Sequence, residues 1–177
     1  MFYLPRLRFG GNMIFKKAQP SDFNYVYNMM LRARQKLFEE NIFQWDERYP
    51  KPEMIRYDIE NGYTSLVEVG SKIVAFYTSN SICEDDVHEH IKWSYTGDRW
   101  IILHRLCIDP QYQNHGLGQE ILTKFENDSV MQAFESIRID VFSTNQKAIH
   151  IYEKYGYKRL GEAVCERGLF YIYDKLL

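Results

Sequence analysis

The chain has 177 residues, 45% of them hydrophobic and 26% charged, with a formal net charge of −2 and a pI near 6.2. This length and apolar content can bury a substantial core without disulfides or a structural metal, and the near-neutral balance argues against a nucleic-acid binder, which would carry a basic face. Cys83, Cys107 and Cys165 show neither C-x-x-C pairing nor metal-ligand spacing, so a reduced, cytoplasmic setting is expected; no apolar run approaches the roughly 18 residues of a membrane span, and no membrane partner is expected.

In chain order, residues 1–12 come first, where Pro5 and a short apolar stretch deny Arg6 and Arg8 a signal-peptide core. They read as an N-terminal extension or an expression remnant in front of a first strand at 13–18, with 13–177 as a single domain. A helix is expected over 22–38, with Phe23, Val26, Tyr27, Met30, Leu31 and Leu37 as its apolar stripe and Ser21 or Asp22 as its cap. Residues 39–50, with Trp45, Tyr49 and Pro50, read as a loop, and Pro52 suits the first turn of a second helix over 52–60. Strands at 64–69 and 73–77 flank Gly70-Ser71 as a hairpin. The run Glu84-Asp85-Asp86-Val87-His88-Glu89-His90 reads as an exposed excursion. His-Glu-His on a loop is a weak metal pattern, so no metal is expected.

The apolar run 100–108 predicts a strand buried on at least one face, which Pro110 cannot continue. After it comes Gln113-Asn114-His115-Gly116-Leu117-Gly118, and beyond that Leu117, Ile121, Leu122 and Phe125 recur at helical spacing. A helix opening there aims its first N–H groups and positive dipole end into the turn, which makes an anion cradle. The spacing Gln113-x-x-Gly116-x-Gly118 is neither G-x-G-x-x-G nor G-x-x-x-x-G-K-[ST]. Residues 136–142 alternate with period two, placing Ile137, Ile139 and Val141 on one face of another strand. In the segment that follows, Thr144 or Asn145 can cap a helix, Ala148, Tyr152 and Tyr155 share a face, and Gly156 sits where a left-handed stop belongs. Strands at 158–164 and 169–175 close the chain as an antiparallel pair around Arg167-Gly168.

These two segments together resemble the GNAT N-acetyltransferase superfamily: the first matches its Q/R-x-x-G-x-G/A pyrophosphate loop after a strand, the second its N-x-x-A-x-x-x-Y-x-x-x-G-[FY] signature, from Asn145 to Tyr157. Asn114 departs from the glycine of many relatives, a change that asparagine's tolerance of left-handed angles makes harmless. The resemblance covers residues 13–177 and implies an α/β fold. Its central mixed sheet would splay between two parallel strands and be flanked by helices. It also implies acetyl-CoA as co-substrate, without a metal. The backbone of Leu106, Cys107 and Ile108 would meet the pantetheine arm. The pyrophosphate would lie against Gln113, Asn114, His115, Gly116, Leu117, Gly118 and Gln119, and Asn145 and Tyr152 would border the cofactor.

Amine acetylation requires removal of an ammonium proton and a proton for the departing thiolate. The resemblance places the Tyr152 hydroxyl beside the coenzyme sulfur. A phenol of pKa about 10 against a thiol of roughly 8.5 is better described as a hydrogen bond that stiffens than as a full donor. His104 stands four residues before Ile108, on the strand face expected for Ile102 and Leu106, and is either the base or a structural histidine; Arg105, expected on the opposite face, reads as structural. The acceptor cleft implied by the family spans 37–50, 84–99 and 164–170, where Trp45, Glu47, Glu84, Asp85 and Asp86 can attract a cationic amine. The expected function is transfer of acetyl from acetyl-CoA to a primary amine of a small molecule, amino acid, polyamine or peptide, as a monomer or homodimer. A non-catalytic acyl-CoA-binding protein is the alternative.

Overall fold

The computed structural model describes residues 13–83 and 90–177; the expected extension at 1–12 and the residues Glu84, Asp85, Asp86, His88 and Glu89 lie outside that range. The described residues form seven strands and four α-helices, in the order β1 (Met13–Lys17), α1 (Phe23–Glu39), α2 (Pro52–Glu60), β2 (Thr64–Val69), β3 (Lys72–Asn80), β4 (Trp100–Ile108), α3 (Leu117–Met131), β5 (Ser136–Phe142), α4 (Gln146–Lys154), β6 (Lys158–Cys165) and β7 (Gly168–Leu176). The strands form one sheet in the order β1-β2-β3-β4-β5-β7-β6. Among the described strands β4 and β5 pair in parallel, and the remaining neighbours are antiparallel.

Each face of the sheet buries its own apolar layer. On one side Leu117, Ile121, Leu122 and Phe125 of α3, with Ile149 and Tyr152 of α4, pack on Ile101, Leu103, Ile137, Ile139 and Val141. On the other side α1 and α2 cover Leu66, Phe76 and Cys107. A third cluster joins Ile42 to Phe142, Phe170 and Ile172 beneath the last hairpin. Each layer exists because a helix with an apolar stripe must cover a sheet face.

The stripe of α1 is broader than its sequence spacing suggested, burying Met29 and Ala33 beside Phe23, Val26 and Met30, while Leu37 is half-buried. Its start also differs. A 3-10 turn at Pro20–Asp22 precedes the helix, so the Asp22 carboxylate accepts from the Gln19 N–H at 2.8 Å instead of capping α1. No helix among the described residues is long and apolar enough to cross a membrane.

Candidate active site

The parallel pair is what opens the molecule. Register between β4 and β5 runs Trp100↔Ser136, Ile101↔Ile137 and Ile102↔Arg138 and stops there, although β4 continues to Ile108 and β5 to Phe142. Past Ile102 the two strands part, and the β4 backbone facing β5 has no ladder partner from it.

A β-bulge sits in the parted half of β4. Phe76 pairs with Cys107 and Thr78 with His104, so Tyr77 alone opposes both Arg105 and Leu106, and Arg105 takes φ +33°. The inserted residue shifts the two-residue period by one. His104 therefore does not share a face with Leu106 as expected from spacing. Its Nε2 lies 3.1 Å from Asn80 Oδ1, whereas Leu106 and Ile108 pack into the α3–α4 layer. Arg105 is not across the sheet from His104 either: its Nη2 donates to Asp58 Oδ2 of α2 at 2.5 Å and its Nη1 to the Tyr49 hydroxyl at 2.8 Å. Cys107 points into the α1–α2 core, where burial pushes its thiol pKa upward and leaves the side chain inert.

Between the parted strands lies an open cavity of about 90 Å³. His104, Leu106, Asp140, Asn145, Tyr152 and Arg167 all line it. Tyr152 reaches it from the buried face of α4, with its ring edge-on to Tyr157 at 5.7 Å between centroids. Burial first, and the negative charge of Asp140 second, push the Tyr152 pKa upward, so the hydroxyl stays protonated through neutral pH. Asn145 caps α4, its Oδ1 accepting from the Ala148 N–H at 3.2 Å, and its Nδ2 donates to Gln44 Oε1 at 2.8 Å. A second tie, Lys147 Nζ to Glu40 at 2.8 Å, joins the same helix to the end of α1. The loop after α1 is thus fastened to the helix that carries Tyr152.

The Gln113–Gly118 segment turns beside the end of β4. Asn114 (φ +65°) and Gly116 (φ +86°) both adopt left-handed angles, and Gly116 is the N-cap residue of α3. Among the described residues, the N–H groups of Gly116, Leu117 and Gly118 donate to no backbone carbonyl, as the first turn of a helix requires. The turn is braced from behind. Asp109 accepts from Arg32 at 2.5 Å and from the Gln111 N–H at 3.2 Å, and Gln113 Nε2 donates to the Ile108 carbonyl at 3.0 Å. Leu117 is a core residue, while His115 and Gln119 are half-buried. Gly118 serves packing as well as access, since a Cβ there would meet Ile108 Cδ1 at 3.3 Å.

Asp140 escaped sequence reasoning: its alternation with Ile139 and Val141 showed that it leaves their face but not what it meets. Arg167, read as a turn residue within the 164–170 stretch of the implied acceptor cleft, lines the cavity. Of the residues expected to draw in an amine, Trp45 lines the cavity, while Glu47 is exposed and does not. Among the described residues no three His, Cys, Asp or Glu side chains gather as a metal site.

Comparison with known proteins joins this geometry to a family. A family model described as "Acetyltransferase (GNAT) family" matches residues 29–157. A UPF0039 protein of Schizosaccharomyces pombe is 23% identical over 163 residues, covering 92% of this chain and 95% of the relative. A GNAT-family acetyltransferase from Streptococcus agalactiae shares the fold at TM-score 0.80 with 24% identity, covering 93% of this chain and 95% of that one. The PaiA N-acetyltransferase of Thermoplasma acidophilum, solved in complex with coenzyme A, does so at TM-score 0.69 with 16% identity, covering 94% and 99%.

Proposed function

The chain belongs to the GNAT acetyltransferase family, and from that premise we propose that it moves an acetyl group from acetyl-CoA to a primary amine by direct attack in a ternary complex. The observation that carries this is the convergence of Tyr152 and His104 on one cavity, where β4 and β5 part. The residues present fit acyl-CoA. The β4 backbone at Leu106, Cys107 and Ile108, which lacks a ladder partner on its β5 side, suits an extended chain of amides, and the left-handed turn through Asn114 and Gly116 leaves three helix-start N–H groups for a pyrophosphate. Coenzyme A in the Thermoplasma PaiA enzyme supports the same carrier here.

Acetyl-CoA supplies an activated thioester: a C–N bond forms, the C–S bond breaks, the amine loses a proton and the thiolate gains one. Tyr152, held protonated by burial, donates a hydrogen bond toward the sulfur as charge develops there. His104, with Asn80 orienting its ring, receives the amine proton directly or through water. Asn145 acts as a positioning residue, fixing the start of the Tyr152 helix. Three unpaired cysteines agree with a cytoplasmic setting. The test is an acceptor screen that reads free thiol, run beside thermal-shift titrations with acetyl-CoA, coenzyme A and ATP. Thiol release on adding an amine supports transfer. Stabilisation by acetyl-CoA with no thiol release from any amine replaces it with a non-catalytic acyl-CoA-binding role.

A further inference from the structure

Two oppositely charged side chains line the same cavity, one from β5 and one from the β6–β7 turn, and name a class of acceptor. Asp140 is the acid among its described lining residues. It stands on β5, near enough to Tyr152 for its charge to act on that hydroxyl. Of the two arginines, Arg105 is buried to 1% exposure against Asp58 of α2. Arg167 sits in the β6–β7 turn with its guanidinium 3.9 Å from the Tyr49 ring centroid and 4.7 Å from that of Phe170.

That turn is fixed in shape, because Gly168 takes φ +122° and a Cβ there would fall 2.9 Å from Phe142 Cε2. Rings beside a guanidinium engage its flat faces, while its N–H fork lies in the plane, the geometry that binds a carboxylate through two hydrogen bonds. Trp45, Phe142 and Phe170 contribute apolar wall.

We propose that the acceptor is a free amino acid with an apolar side chain, its amino group directed to Asp140 and its carboxylate to Arg167. This rests on the acetyl-transfer function above. Neither residue has to lack an internal partner, since a ligand bearing both charges brings each its counter-charge as it enters. A polyamine would instead set a second cation against Arg167.

The test compares kcat/KM at saturating acetyl-CoA for L-phenylalanine and L-leucine with their decarboxylated counterparts, phenethylamine and isoamylamine, and with spermidine. The amino acids are expected to lead by tenfold or more, on the order of one charge-assisted bidentate contact. Arg167→Gln is expected to bring that ratio close to one, and Arg167→Lys, which restores charge without the fork, to recover part of it. A ratio at or below one in the unaltered protein overturns the inference while leaving acetyl transfer standing, and so does a tenfold ratio that survives Arg167→Gln. Thiol release from no amine at all overturns acetyl transfer itself.

Discussion

Replacing Asp58 with asparagine leaves the shape of the α2–β4 contact and removes its negative charge. The partner, Arg105, has a side chain 1% exposed against 3% for Asp58, so water cannot take over the solvation of the guanidinium. Asp58 Oδ2 also accepts a long contact from Thr78 Oγ1 at 3.5 Å, which the variant can keep. Breaking one side of a buried ion pair costs about 3–5 kcal/mol, and retention of an acceptor oxygen argues for the lower end, ~3 kcal/mol. For a chain of this length each kcal/mol moves Tm by about 2–4 °C, so a fall of roughly 6–12 °C is expected by circular dichroism, with a matching shift of the urea midpoint. The double variant Asp58→Leu/Arg105→Met removes both charges and is expected to regain most of the loss. A Tm change below about 2 °C in the single variant, or a double variant no more stable than the single, would refute the charge argument.

Tyr152→Phe keeps the ring packed against Tyr157 and is expected to lower kcat by about 10²-fold or more with coenzyme A affinity retained, read by steady-state kinetics and calorimetry; unchanged turnover removes Tyr152 from the proton path. His104→Ala is expected to move the acidic limb of the kcat/KM profile, and an identical limb assigns proton removal to another group. A Cβ at Gly116 would meet nothing within 4 Å, but Gly116→Val strains a left-handed residue, at about 1–2 kcal/mol, so weaker coenzyme A binding there reports on the loop backbone. Gly118→Val should weaken binding and also lower Tm through Ile108. Equal affinity in both variants removes the pyrophosphate role.

Burial raises the pKa of Tyr77, Tyr152, Tyr157 and Tyr173, the last to about 12. A folded pKa above the unfolded value of about 10 means the folded state holds those protons more tightly. Their stabilisation is complete below about pH 10 and is lost as pH climbs through the folded values. Tm should therefore fall steeply above pH 10, with phenolate absorbance rising together with unfolding; free titration of all four near pH 10 in the folded protein contradicts this.

Helix 52–60 and strands 100–108 and 136–142 were legible to the residue, because each is a run of one unbroken pattern between clear stops. The bulge at Arg105 was not. Residues 100–108 are apolar on both faces, so the local pattern offers no alternation whose interruption can be counted, and the bulge exists only in pairing with β3. The cavity wall has the same character. Gln44 meets Asn145 across 101 positions of sequence, and Asp140 of β5 and Tyr152 of α4 line the same cavity, the charge of one acting on the hydroxyl of the other. Alternation told which way Asp140 leaves its strand; no local rule says what lies there.

The extra residue in β4 is one that the strand could lose without disturbing its neighbours. Deleting Arg105 would allow an unbroken ladder with β3 and would leave Leu106 and Ile108 under α3 and α4 and Cys107 under α1 and α2, because His104 and Leu106, already on opposite faces, would become adjacent. What would go is the buried guanidinium that Asp58 of α2 meets. In an alignment, a single gap at this position would therefore mark chains that keep the cavity floor and both signature motifs but lack the cation that answers an acid at position 58.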